Sequence, residues 1–98
     1  MKYKVAIKTG FFETTLYDLS IMDGSILLVP AEDPANNSIS IAEDDFASIL
    51  FYKGNHSEIE ITTRDRTISA IVDECLDLRE IYQEFKKNIK TKMIYEEE

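Results

Sequence analysis

At 98 residues the chain has the length of one domain and no break in composition at which to divide it; surface scaling leaves roughly 5,700 Å² exposed out of about 16,400 Å² in the extended chain, enough burial for a modest core. A formal charge of −8 and a pI near 4.6 disfavour contact with phosphate backbones and anionic lipid surfaces, so nucleic acid is not an expected partner. The longest apolar runs, Ile26 to Val29 and Ile49 to Tyr52, fall far short of the roughly 20 residues that span a bilayer, and no integral membrane contact is expected.

The chain then reads as seven short strands followed by one helix. Tyr3, Val5 and Ile7 alternate with Lys2, Lys4, Ala6 and Lys8, which predicts a first strand over Tyr3 to Thr9 with one buried and one wet face. After a turn at Gly10, a second strand runs from about Glu13 to Ile21, with Tyr17, Leu19 and Ile21 on one face and a bulge expected near Leu16. Asp23-Gly24 is a tight-turn pair leading to a third strand over Ser25 to Val29. Pro30 to Ser38 holds both prolines and reads as a loop. A short fourth strand (Ser38 to Ala42) leads through the acidic turn Glu43-Asp44-Asp45 to a fifth (Phe46 to Lys53), apolar on both faces. Glu58 to Arg64 and Thr67 to Val72 supply the sixth and seventh.

Leu78, Ile81, Tyr82, Phe85 and Ile89 form a helical stripe, predicting a helix that starts at Asp73 or, in preference, at Asp77 and ends near Lys92, over about 77–92. Asp77 with Glu80 three residues on resembles a capping box that opens it. Acidic residues crowd its first half and Lys86, Lys87, Lys90 and Lys92 its second, the polarity that the helix macrodipole favours. Glu96, Glu97 and Glu98 read as a frayed acidic tail.

This order, with Ile39 and Ile41, then Phe46 to Phe51, then Glu58 to Thr63, then the helix, resembles the pleckstrin-homology-like superfamily, small bacterial and GRAM-type members in particular. The resemblance covers nearly the whole chain and rests on element order. It implies a mainly β fold with one C-terminal helix: a partly open barrel of seven antiparallel strands in two near-orthogonal sheets, plugged by the helix, over residues 1–98 as a single domain.

The superfamily's phosphoinositide-binding members use a lysine near the end of the first strand and a basic pair on the second. Lys8 matches the first position, but Phe11 to Asp18 contains no Lys or Arg, so phosphoinositide binding is the lesser expectation. Catalysis needs a nucleophile with a base, or paired carboxylates in a cleft. Here a single histidine, His56, falls in a turn, and the single cysteine, Cys75, sits among carboxylates that oppose thiolate formation. One His and one Cys cannot build a zinc set, and Gly10, Gly24 and Gly54 stand alone, without a phosphate-binding loop. No enzymatic activity, cofactor or metal is expected. The lone cysteine, with no leader-like segment ahead of Lys2, predicts a cytoplasmic setting.

The expected function is therefore a protein-interaction or scaffolding module. By the resemblance, a peptide partner would lie along the fifth strand beside the helix, which singles out Ile49, Leu50, Phe51 and Tyr52 as partner-binding residues, or as the contact of a homo-oligomer through that strand. The alternative is an acidic decoy or inhibitor that presents Asp44, Asp45, Glu58 and Glu60 as one negative face to a basic or nucleic-acid-binding protein.

Overall fold

The computed structural model describes residues 2–35 and 37–98; Met1 and Asn36, the latter within the expected loop, lie outside the described residues. Its elements are β1 (Lys2–Lys8), β2 (Thr14–Met22), β3 (Ser25–Pro30), β4 (Ile39–Ala42), a single 3₁₀ turn (Glu43–Asp45), β5 (Phe46–Lys53), β6 (Ser57–Thr63), β7 (Thr67–Val72), α1 (Leu78–Asn88) and β8 (Lys92–Glu97). Period-two alternation decides which side chains go inside. Along β1, Tyr3, Val5 and Ile7 are buried while Lys2, Lys4 and Lys8 are exposed. In β2, Tyr17, Leu19 and Ile21 are buried, and the register with β1 runs unbroken from Lys2↔Ser20 to Lys8↔Thr14. The bulge expected near Leu16 is therefore absent; the irregularity lies instead in β5, between Phe46 and Ser48.

All eight strands form one sheet, in the order β4-β3-β2-β1-β7-β6-β5-β8. This corrects the expectation of seven antiparallel strands in two sheets on two counts. β1 pairs on one side with β2 and on the other with β7, through Val5↔Val72 to Ile7↔Ala70, which joins the two strand runs into one curled surface. The eighth strand runs parallel to β5, from Ser48↔Lys92 to Lys53↔Glu97, so the sheet is mixed. The total exposed surface, 6086 Å², is close to the roughly 5,700 Å² expected for a folded chain of this mass.

The inner face of the curl holds the core, and α1 lies inside it against β2 and β5. Leu78, Ile81 and Phe85 are its buried residues, and the Phe85 and Tyr82 rings meet Phe51 of β5 edge-on, at 5.2 and 5.1 Å between centroids. Asp77 caps the helix by accepting from the Arg79 backbone N–H at 3.0 Å, which satisfies one of the free donors of the first turn. The helix stops at Asn88, four residues short of the expected end. Ile89 turns to an extended conformation, yet its side chain stays buried, so the last apolar position of the stripe joins the core without helical backbone. The Asn88 carbonyl accepts from the N–H of Gly24 at 2.7 Å. Gly24 has φ +78°, a conformation that a residue with a Cβ adopts only under strain, so the Asp23-Gly24 turn also anchors the helix end.

Candidate functional site

Inner and outer residues of β5 have opposite fates. Ile49 and Phe51 are buried in the core, whereas Leu50 and Tyr52 are half-buried on the outer face of the sheet. Of the expected partner-binding residues, then, the outward pair alone can meet a partner. Nor is the edge of β5 open for an added peptide strand: β6 pairs with one side and the chain's own β8 with the other. The segment expected to be helix end and frayed tail occupies that line.

β8 is held from both faces. On the inner side Tyr95 stands in register with Phe51, its ring 5.2 Å from that of Tyr82 and 4.7 Å from the Arg79 guanidinium. Arg79 Nη2 donates to Glu97 Oε1 at 3.0 Å, and the Tyr95 hydroxyl donates to the same oxygen at 2.8 Å. The Tyr95 hydroxyl and the Arg79 guanidinium hold the Glu97 carboxyl below its usual range, because both interactions favour its charged form. Burial, and then the bond to Glu97, pushes the Tyr95 hydroxyl up. On the outer side the Tyr52 hydroxyl donates to Glu98 Oε2 at 2.7 Å, which raises the Tyr52 hydroxyl in turn. The Glu98 N–H donates to the Lys53 carbonyl at 2.8 Å.

The resulting outer face carries a small apolar patch with an acidic border. Ile94 lies in register with Leu50 and is 41% exposed. Leu50 in turn faces Glu60 across to β6, and Tyr52 faces Glu58. Glu58 is engaged by Lys8 at 3.1 Å and lies 3.7 Å from His56 Nε2. Among the described residues neither Glu60 nor Glu96 has an ion pair or hydrogen-bonding side-chain partner. The other expected acidic residues stand apart. Asp45, on the 3₁₀ turn, shares a shallow cleft with Asp65 and Arg66 beside Thr63, which is roughly 10 Å along β6 from Glu60. The acids therefore form two separate groups, each with a cation beside it, Lys8 at Glu58 and Arg66 near Asp45.

Lys8, the residue matching a phosphate-binding position, has its ammonium against Glu58. The loop after it holds features that sequence reasoning passed over, Phe11 and Phe12, each 93% exposed and touching each other edge-on at 4.7 Å. The signal was the adjacent pair itself, in a turn where neither ring has a place in the alternating pattern. A groove of about 530 Å³ crosses the outer face of β1, floored by Ala6, Leu16, Ile71 and Leu76 and bordered by Lys2 and Lys4. Asp73 lines the same groove, so its border carries both signs of charge and selects no class of ligand.

Cys75 is exposed, but its thiol is engaged. Sγ donates to Asp73 Oδ1 at 2.7 Å, and this bond, with the Asp73 charge, pushes the thiol up. Alkylation by iodoacetamide at neutral pH is expected to be slower than in the unfolded chain, and Asp73→Asn to accelerate it, since the thiolate is the reacting form. Equal rates in the two proteins would contradict this assignment. Among the described residues no group of three or more His, Cys, Asp or Glu is placed to hold a metal ion, and no helix is long and apolar enough to cross a membrane.

No family model matches the chain, and neither does any curated protein. Among solved structures it is similar to a chain in the structure of the Spt16D–Pob3N heterodimer, with a TM-score of 0.69 and 11% sequence identity, over 99% of this chain and 53% of that one. The chain thus spans about half the length of its structural relative. At this identity the likeness shows the fold alone, here a mainly β chain with one helix near the C-terminus, and does not reach the small bacterial or GRAM-type members.

Proposed function

We propose that this domain acts through protein contacts and not by catalysis, and that its contact surface is the outer face of β5, β6 and β8. The partner it fits is an extended segment that alternates aliphatic and basic residues. One observation carries this reading: Leu50 and Ile94 stand side by side on a face that no described element covers, with Tyr52 beside them and, at the border, the carboxylates of Glu60 and Glu96, which have no ion pair among the described residues. An aliphatic side chain of the partner would rest on Leu50 and Ile94 while its lysines or arginines reach Glu60 and Glu96. The charge of −8 draws cationic partners from a distance, so steering and docking act in the same direction. That the structural relative was solved as a protein heterodimer is in keeping with a protein partner.

A titration of the ¹⁵N-labelled domain with a short synthetic peptide alternating lysine and leucine tests this. Saturable shifts are expected at Leu50, Tyr52, Glu60 and Ile94, with binding weakened by salt and weakened roughly tenfold by Glu60→Lys or Leu50→Asp. A peptide alternating lysine and serine separates docking from charge attraction. If it binds as tightly as the lysine–leucine peptide, the apolar patch plays no part and the acidic-decoy reading takes its place. Shifts centred on Asp44 and Asp45 would have the same meaning.

A further inference from the structure

β8 is the last strand of the sheet, and among the described residues nothing pairs with its outer side. An open edge is ordinarily blunted by charge, and β8 carries charge at both ends. The placement of those charges is more specific than blunting requires. In Lys92-Met93-Ile94-Tyr95-Glu96 the cation and the anion lie symmetrically about Ile94, so the segment is complementary to itself when a second copy runs antiparallel to it. Lys92 then faces Glu96 of the second copy, Met93 faces Tyr95, and Ile94 faces Ile94, the opposed Cβ atoms being roughly 4.5–5.5 Å apart.

The rest of the C-terminal segment singles out the same two charges. Glu97 is engaged by Arg79 and Tyr95, and Glu98 by Tyr52. Lys92 and Glu96 are left with no ion pair among the described residues, and they are the pair that a two-fold axis at Ile94 brings together. Sliding the strands by two residues in either direction puts Ile94 opposite Glu96 or opposite Lys92, a mismatch that fixes the register. The opposite edge of the sheet does not offer the same match. β4 is four residues long and carries no charge of its own, Ile39-Ser40-Ile41-Ala42, so it has no cation and anion placed symmetrically about a centre as β8 has.

We propose that two copies of this chain associate through antiparallel pairing of β8 about Ile94, continuing one sheet across the junction. The outer faces of the two copies then lie on the same side, and the row Leu50–Ile94 of one copy runs on into Ile94–Leu50 of the other. A strand of six residues makes a small contact, below the roughly 1,200 Å² of a standard interface, so the dimer forms and dissociates with concentration. It rests on the β8 edge alone and stands whether or not a basic segment docks on the outer face.

Sedimentation of the full chain from micromolar to millimolar concentration tests it. The mass is expected to rise from that of the 11.3 kDa monomer toward twice that value. Lys92→Glu alone and Glu96→Lys alone, each checked for a native amide spectrum, should weaken association by roughly tenfold, because each places like charges opposite one another. An equimolar mixture of the two variants should regain it, since the acidic pair of the first variant then lies opposite the basic pair of the second. Glu60→Lys, which disables docking, and the double change Phe11→Ser with Phe12→Ser should leave association unchanged. A wild-type chain monomeric at millimolar concentration, no recovery on mixing the charge variants, or loss of association in the Phe11 and Phe12 variant would each overturn the proposal.

Discussion

Replacing Phe85 with alanine is expected to lower the unfolding free energy by about 3–5 kcal/mol. Phe85 is fully buried on the inner side of α1 and meets the equally buried Phe51 edge-on. Truncation removes the ring's transfer free energy and leaves a cavity between helix and sheet that neither rigid element can close. It also removes one of the helix's two ring contacts with Phe51 of β5, the strand that underlies the outer-face patch. For a domain whose total stability is of order 5–15 kcal/mol, such a loss brings the chain near its unfolding threshold. The control is Phe11→Ala. With 93% of its surface exposed, Phe11 contributes little to folding, and its replacement should stay within about 0.5 kcal/mol. Urea denaturation of the two variants checks both values, and equal losses would contradict the assignment of core and surface.

Removing Lys92 to Glu98 should destabilise the domain by roughly 2–4 kcal/mol, from the lost burial of Met93 and Tyr95 and the lost contacts on Tyr82. The same truncation opens the edge of β5 from Ser48 to Lys53, a line of backbone donors and acceptors beside Leu50 and Tyr52. The shortened chain is therefore expected to aggregate at concentrations where the full chain does not. Light scattering alongside urea denaturation checks this; a truncated chain as stable and as soluble as the full one would mean that β8 contributes nothing to the fold. Acid acts on the same segment more gently. Glu97 is held below its ordinary value of 4.5 in the folded chain, by the Tyr95 hydroxyl first and then by Arg79. Its contribution is therefore complete above that value and lost as pH falls through the lowered folded one. β8 should loosen before the core does as the solution is acidified.

Strands that alternate cleanly were legible because the alternation is local. The expected limits of β5 and β7 coincide with the observed ones, and the helix cap at Asp77 follows from residue type and position. What was not legible depends on pairing between distant segments. That β1 joins β2 to β7 in one sheet cannot be read from β1, whose alternation is the same whether it has one neighbour or two. β8 was hidden for a related reason. Met93, Ile94 and Tyr95 favour strand by type, but they follow a helical stripe ending at Ile89 and a run of lysines that suits a helix C-terminus. Their strand conformation is decided by β5, which lies more than forty positions back in the chain and offers a free edge and an aromatic floor.

The candidate site was legible in part for the same reason. An apolar run such as Ile49 to Tyr52 marks a strand wanted on both sides, but alternation assigns Ile49 and Phe51 to the core and leaves Leu50 and Tyr52 outside. Ile94 completes the patch, and it could not be placed until β8 was. Phe11 and Phe12 were visible throughout as an adjacent aromatic pair in a turn, yet strand and helix patterning gives no account of residues that pack against neither.

The outer face, the dimer edge and the closing of the β5 edge all depend on the C-terminal segment being the eighth strand of the sheet. Amide hydrogen exchange, followed residue by residue at neutral pH, tests this most directly. Amides of β8 that face β5, together with the Glu98 amide bonded to Lys53, should exchange much more slowly than in an unstructured peptide, and those of β5 facing β8 should be as protected as those facing β6. Exchange of Lys92 to Glu98 at unstructured-peptide rates, with one side of β5 unprotected, would contradict the account.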